Sequence, residues 1–170
     1  MNLYLVGPMG AGKSEVGRRL SERLGLPLAD TDTLVETRAG MSVSEIFRIL
    51  GEERFREMEA EAIRGLAASE GHVVACGGGA VLRPGNVDAM RSSGVVFYLA
   101  VGAETAAARV GDAAGRPLLQ GAGSPRERLE EMIVGREPLY RGAAHHVVET
   151  EGRGPQEVAE EVERVWKGYS

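Results

Sequence analysis

The chain has 170 residues, 43% of them hydrophobic and 26% charged, which is enough apolar material for one compact domain. Its net charge of -5 argues against a nucleic-acid partner, because binding to a phosphate backbone needs a basic surface. We find no apolar stretch of about 18 residues and no signal-peptide pattern. The single cysteine, Cys76, cannot form an internal disulfide. We therefore expect a cytoplasmic protein with no membrane partner.

Apolar runs and segments of helical period alternate along the chain. The apolar runs predict strands at 2–6, 26–29, 72–76, 95–100 and 146–149. The periodic segments predict helices at 13–24, 42–50, 52–68, 124–137 and 155–167. This alternation predicts a single α/β domain over residues 1–170, with a parallel sheet flanked by helices and ligands at the carboxyl ends of the strands. The stretch 111–123 is rich in Gly, Ala, Pro and Ser, which favours a mobile flap.

A phosphate-binding motif follows the first predicted strand. Residues 7–14 read Gly-Pro-Met-Gly-Ala-Gly-Lys-Ser, a full match to G-x-x-x-x-G-K-[ST] between a strand and a helix. Glycines in such a loop let successive N–H groups point into one hollow at the positive end of the helix. Lys13 would reach the β- and γ-phosphates of a nucleotide, and the Ser14 hydroxyl would bind the accompanying Mg²⁺. The alternative is a glycine-rich turn without a ligand.

Two carboxylates follow the second predicted strand, in Asp30-Thr31-Asp32. On an extended segment, residues i and i+2 point the same way, which suits one carboxylate to Mg²⁺ and the other to a substrate hydroxyl. The alternative is a helix cap, in which Thr31 or Asp32 only opens a helix over 33–39.

Three glycines, Gly77-Gly78-Gly79, follow the third predicted strand. Without side chains they would let a ligand touch backbone N–H groups directly, although a tight turn would have the same sequence. Taken singly, Arg56, Arg116 and Arg136 are compatible with ordinary surface arginines.

The motifs in chain order are GPMGAGKS, DTD, FRxxE, GGG, RPLL, RxPLY and, after the last strand, Arg153-Gly154-Pro155. This combination closely resembles the shikimate kinase family, with a match from Leu3 to about Val165. The resemblance implies a P-loop NTPase fold with a five-stranded parallel sheet of order 2-3-1-4-5 and a mobile lid at about 110–124. It also implies phosphate transfer from ATP to the 3-hydroxyl of shikimate, in aromatic amino-acid biosynthesis, by a monomeric enzyme.

The resemblance also assigns the site residues. The catalytic set would be Lys13, Asp32 and Arg116. The ATP site would comprise Gly10, Ala11, Gly12, Lys13, Ser14, Glu15, Arg109, Arg116 and Arg153, with Arg109 and Arg153 against the adenine. The shikimate site would comprise Asp32, Arg56, Gly77, Gly78, Gly79 and Arg136, with the two arginines on the carboxylate. Mg²⁺ would be held by Ser14 and, through water, by Asp30.

One position departs from the family pattern. The family usually has Thr after the loop serine, whereas this chain has Glu15. A carboxylate facing the phosphates would be repelled, so we expect Glu15 to turn outward and pair with Arg18 or Arg19. Two other functions stay open at this point: another small-metabolite kinase of the gluconate type, and a non-catalytic ATP-binding relative.

Overall fold

A computed structural model describes residues 1–110 and 124–169. Its five strands form one parallel sheet of order β2-β3-β1-β4-β5, which confirms the expected topology. The strands are β1 (Asn2–Val6), β2 (Leu28–Asp30), β3 (Val73–Ala75), β4 (Gly94–Ala100) and β5 (His146–Glu149).

Helices pack on both faces of this sheet. The described helices are α1 (Lys13–Leu24), α2 (Thr31–Ala39), α3 (Val43–Ile49), α4 (Glu52–Ala67), α5 (Pro84–Ser93), α6 (Ala103–Val110), α7 (Pro125–Ala143) and α8 (Pro155–Lys167). A short 3-10 helix (Ala80–Leu82) lies between β3 and α5. None of the helices that the structure describes is long and apolar enough to cross a membrane.

The central strands alternate their side chains between two apolar layers. On one face, Leu3 and Leu5 of β1 pack with Phe97 and Leu99 of β4, under α1 and α8. On the other face, Tyr4 and Tyr98 pack under α4, α5 and the C-terminal half of α7. Because both faces of these strands are covered, their sequences read as continuous apolar runs and are easy to predict.

Several predicted boundaries differ from the structure. The strand predicted at 26–29 begins only at Leu28 and lies at the sheet edge, where Leu28 is 40% exposed. The helix predicted at 124–137 continues through Pro138 to Ala143, because Tyr140 and Ala143 are buried against the sheet. Proline removes a helical hydrogen bond to the carbonyl of Val134, but Val134 is 67% exposed, so water can replace that donor.

Apart from α2, which only the capping alternative placed at 33–39, two helices, α5 and α6, were not among the predicted helices. Both are short, at 10 and 8 residues, so each offers few turns in which a helical period can be recognised. Their position is decided by packing against the sheet and against α7. The predicted flap at 111–123, with Arg116, lies outside the described residues.

Candidate active site

Three sequence motifs meet at one edge of the sheet. The glycine-rich loop follows β1, the Asp30-Thr31-Asp32 segment ends β2, and the Gly77-Gly78-Gly79 segment follows β3. These strands are neighbours in the order β2-β3-β1, so their carboxyl ends converge. A cleft of about 490 Å³ opens there. Its polar lining includes Ser14, Asp30, Asp32, Arg56, Glu59, Arg136 and Tyr140.

The glycine-rich loop has the backbone of an anion-binding hollow. Gly12 caps α1 with a φ of 89°, in the left-handed region that favours glycine. Gly10 has a φ of 84°, and a Cβ there would lie 2.5 Å from the carbonyl oxygen of Ala106 on α6. The Lys13 ammonium donates to the loop carbonyls of Gly7 at 2.6 Å and Pro8 at 2.9 Å. The first-turn N–H groups of α1 have no helical partner and face this hollow.

The Asp30-Thr31-Asp32 segment is not extended as predicted. Asp30 ends β2 and caps α2, its Oδ1 accepting from the Thr33 N–H at 3.1 Å, while Thr31 and Asp32 form the first turn of the helix. The cap is therefore Asp30, whereas the capping alternative placed it at Thr31 or Asp32. The second oxygen of Asp30 accepts from the Ser14 hydroxyl at 3.5 Å. Two hard oxygen donors thus lie side by side next to the phosphate hollow.

Asp32 lies inside the cleft, in a different environment from Asp30. Burial raises the pKa of Asp32 above its ordinary value, and the nearby charge of Asp30 adds to the rise. Its Oδ1 lies 2.7 Å from the position that a Cβ on Gly77 would take, so glycine is needed at that point. A carboxyl with a raised pKa is better matched to accepting a proton near neutral pH.

Arg56 is buried rather than solvated. Only 7% of the residue is exposed, and its guanidinium pairs with Glu59 at 3.1 Å and Glu52 at 3.4 Å on the same helix. Burial raises the pKa of Glu59 to about 7, with Arg56 opposing the rise. Arg56 Nε and Glu59 Oε2 are buried and find no hydrogen-bond partner within the described parts of the chain. Both atoms are enclosed by the protein, so this ion pair leaves part of its hydrogen-bonding capacity unmet beside the cleft.

The three glycines are packed closely by surrounding side chains. A Cβ on Gly79 would collide with the guanidinium of Arg56. The Gly77 N–H already donates to the Thr31 hydroxyl at 2.8 Å, and the Gly78 carbonyl accepts from the Tyr140 hydroxyl at 2.7 Å. The Gly77 N–H is therefore already engaged within the protein, and the N–H groups expected to meet a ligand are those of Gly78 and Gly79. A Cβ at position 77 would displace the Asp32 carboxyl, and one at position 79 would displace the Arg56 guanidinium.

Arg136 reaches the same place from α7. Its Nη1 lies 3.8 Å from the position of a Cβ on Gly78, so its guanidinium borders the glycine loop. Arg56, on α4, borders the loop at Gly79. Two guanidinium groups from different helices therefore flank two adjacent glycines, an arrangement suited to a small carboxylate.

The other residues predicted to bind ATP make the following contacts where the structure describes them. Arg109 donates to the Gly10 carbonyl at 3.1 Å. Arg153 donates to the Glu149 carbonyl at 2.7 Å and pairs with Glu161 at 3.2 Å. Ala11 is buried in the loop. Arg116 lies outside the described residues.

The Glu15 side chain turns away from the hollow, as predicted. It accepts from Arg18 at 2.8 Å and from Arg19 at 3.0 Å. Hydrogen bonding and the charge of Arg18 lower the pKa of Glu15, so the pair remains ionised at neutral pH.

Four residues around the site were given no binding or catalytic role from the sequence: Thr31, Glu52, Glu59 and Tyr140, although Thr31, Glu59 and Tyr140 belong to the DTD, FRxxE and RxPLY motifs. Glu59 follows Arg56 by three positions and Tyr140 follows Arg136 by four, spacings that place each pair on one helix face. The spacing was therefore a signal in the sequence that Glu59 lies beside Arg56 and Tyr140 beside Arg136. It did not indicate which face of each helix is buried.

Comparison with known proteins agrees with this geometry. The shikimate kinase family model matches residues 9–167. Shikimate kinase from Symbiobacterium thermophilum is 47% identical over 95% of this chain and 94% of its own length. The enzyme from Thioalkalivibrio sulfidiphilus is 42% identical over 98% of this chain and 87% of its own length.

Solved structures give the same result. Shikimate kinase from Acinetobacter baumannii in complex with shikimate superposes with a TM-score of 0.93 at 36% identity, covering 99% of this chain and 94% of that one. A gluconokinase from Sinorhizobium meliloti has a TM-score of 0.61 at 19% identity, over 99% of this chain and 94% of that one, which shows a shared fold alone. This chain belongs to the shikimate kinase family, whose members are ATP-dependent small-molecule kinases.

Proposed function

We propose that this chain transfers the γ-phosphoryl group of ATP to the 3-hydroxyl of shikimate, giving shikimate 3-phosphate and ADP for aromatic amino-acid biosynthesis. One observation carries the proposal: Arg56, Arg136 and Asp32 line a single cleft that borders the phosphate-binding loop. Two cations at one place and a carboxylate beside the phosphate hollow suit an acceptor with a carboxylate at one end and hydroxyls at the other.

Arg56 and Arg136 would bind the shikimate carboxylate. Guanidinium groups match the plane of a carboxylate, and Arg56 is largely shielded from water, which strengthens the attraction. The N–H groups of Gly78 and Gly79 would add hydrogen bonds, since their neighbour Gly77 is engaged with Thr31.

Asp32 would orient the ring hydroxyls and accept the proton of the attacking one. Its raised pKa makes it a stronger proton acceptor than an ordinary aspartate. Lys13 would leave the carbonyls of Gly7 and Pro8 to contact the β- and γ-phosphates. Arg116 is proposed, by resemblance, to neutralise charge on the phosphoryl group during transfer.

The residues beside the phosphate hollow fit a Mg²⁺ ion that arrives with ATP. Ser14 Oγ and Asp30 Oδ2 are 3.5 Å apart, and oxygen donors are the ligands that Mg²⁺ prefers. The described residues hold no cluster of three or more His, Cys, Asp or Glu that could bind a metal alone. Ser14 would therefore bind the ion together with phosphate oxygens, and Asp30 would bind it through water. When bound, the ion neutralises charge on the phosphates.

The rest of the nucleotide would lie along the loop and the ends of α6 and α8. We propose that backbone groups of residues 10–15 bind the phosphates, and that Arg109 and Arg153 lie against the adenine, where a planar cation can stack on a purine. The same proposal covers one kinase domain over 1–170 with a lid at about 110–124, acting as a cytoplasmic monomer without a nucleic-acid or membrane partner. Light scattering and cell fractionation test those last assignments.

The decisive experiment measures ADP release with shikimate, gluconate and nucleoside monophosphates as acceptors. We expect turnover with shikimate. Arg136→Ala should lower kcat/KM for shikimate about ten- to a hundredfold, the typical effect of losing a hydrogen bond to a charged group, and leave the KM for MgATP nearly unchanged. Arg126→Ala is the matched control, since Arg126 is on the same helix, exposed and paired with Glu130. Preference for another acceptor, or equal losses toward ATP and shikimate, would refute the proposal.

A further inference from the structure

Tyr140 lies directly behind the glycine loop. It is on α7, four residues after Arg136, and is 1% exposed. Its hydroxyl donates to the Gly78 carbonyl at 2.7 Å, a contact between residues 62 positions apart. The helix that carries Arg136 is therefore joined to the loop by a partly buried hydrogen bond.

The same hydroxyl interacts with Arg136. Burial raises the pKa of Tyr140, while the nearby charge of Arg136 opposes the rise. A hydroxyl can donate one hydrogen bond and accept others. The hydroxyl that donates to Gly78 therefore keeps lone pairs for the neighbouring Arg136 guanidinium, and Gly78, Arg136 and Tyr140 all line the cleft that would hold the carboxylate.

The ring of Tyr140 is held in place from the sheet side. It stacks on Tyr98 of β4, with ring centroids 5.2 Å apart and an angle of 26° between the planes. The Tyr98 hydroxyl in turn donates to Glu137, on the turn of α7 that precedes Tyr140. Because the ring is stacked and buried, its hydroxyl has a defined position.

Other bonds tie the loop on both sides of Gly78. The Gly77 N–H donates to the Thr31 hydroxyl at 2.8 Å, and the Asn86 side chain donates to the Ala80 carbonyl at 3.0 Å. Neither partner is on α7. Among these ties, Tyr140 is the one that connects the loop to the helix of Arg136.

We propose that Tyr140 is a positioning residue that couples Arg136 to the Gly78 backbone, so that guanidinium and loop N–H groups meet the substrate carboxylate as one preformed site. The inference rests on the proposed function for its substrate. It adds a second role for α7. The helix supplies Arg136, which would bind the substrate carboxylate, and it also sets the position of the glycine loop, which would bind the same carboxylate.

The test is Tyr140→Phe, which removes the hydroxyl and keeps the stacked ring. We expect the KM for shikimate to rise about three- to tenfold, the usual effect of one neutral hydrogen bond, with kcat and the KM for MgATP within about twofold of wild type. Tyr98→Phe is the matched control, because it also removes a hydroxyl bonded to α7, at Glu137, but leaves the ring stack and the bond from Tyr140 to Gly78 intact. Its KM for shikimate should stay within about twofold of the wild-type value.

A second measurement does not depend on activity. Amide exchange at Gly78 and Gly79 in the free protein should be faster in Tyr140→Phe than in wild type or Tyr98→Phe. In an Arg136→Ala background, Tyr140→Phe should raise the shikimate KM by less than it does alone, because coupled residues are not additive.

Unchanged exchange and an unchanged shikimate KM in Tyr140→Phe would overturn the inference, as would equal rises in the KM values for shikimate and MgATP. If wild type fails to phosphorylate shikimate but the exchange difference is present, the substrate assignment fails and the coupling of the loop to α7 stands.

Discussion

Glu59 should make the stability of this protein depend on pH, and replacing it should remove its share of that dependence. The carboxyl is buried, its Oε1 accepts from Arg56 at 3.1 Å, and its Oε2 finds no partner among the described residues. Burial raises its pKa from 4.5 to about 7. A carboxyl with a raised pKa holds its proton more tightly in the folded state than in the unfolded state. It therefore adds stability below pH 4.5 that is lost as the pH rises through about 7.

The size of the effect follows from the two pKa values. A rise from 4.5 to about 7 corresponds to about 3 kcal/mol, at about 1.4 kcal/mol for each tenfold change in proton affinity. Most of this falls inside an accessible window: between about pH 5 and about pH 7.5 the contribution drops by about 2 kcal/mol. The pKa of Asp32 is raised as well, so Asp32 changes stability with pH in the same direction. The contribution of Glu59 must therefore be measured as the difference between wild type and a variant changed at Glu59 alone.

The assay is urea unfolding of wild type and Glu59→Gln at several pH values in this window. Relative to Glu59→Gln, wild type should lose about 2 kcal/mol as the pH rises, because Gln cannot ionise. Glu57→Gln is the matched control, since Glu57 is half exposed on the same helix and pairs with Arg54. Its curve should run parallel to that of wild type. Parallel curves for wild type and Glu59→Gln would show that Arg56 keeps Glu59 ionised throughout, and would refute the reasoning.

Three further predictions concern the two halves of the site. Glu15→Thr should leave kcat unchanged and lower the KM for MgATP by less than about tenfold; a hundredfold gain, strongest at low salt, would mean that Glu15 faces the phosphates. MgATP should protect Lys13, and leave Lys167 reactive, toward an amine reagent read by mass spectrometry; protection of Lys167 alone would exclude the loop. Gly79→Ala should weaken shikimate binding at least about tenfold, because its Cβ meets a buried guanidinium, whereas Gly85→Ala, which has open space, should not. Equal KM values for shikimate in those two variants would contradict the packing argument.

The sequence by itself determined the phosphate loop, the alternation of strands and helices, and the family. These features are encoded in short stretches of chain, since Gly12 and Lys13 act through the conformation and contacts of their own loop. The expected sheet order followed from the family resemblance, and the central strands were predicted well because burial on both faces leaves a continuous apolar run.

Only the tertiary structure decided how the residues proposed to bind shikimate are arranged. Arg56 looks like a surface charge in its own helix, and it is buried because α4 packs that face toward the glycine loop. Asp32 was expected on an extended segment and instead lies in a helical turn capped by Asp30. The bonds from Thr31 to Gly77 and from Tyr140 to Gly78 join residues 46 and 62 positions apart. Local patterns carry no information about such pairs, because the contacts arise when separate elements pack onto one sheet.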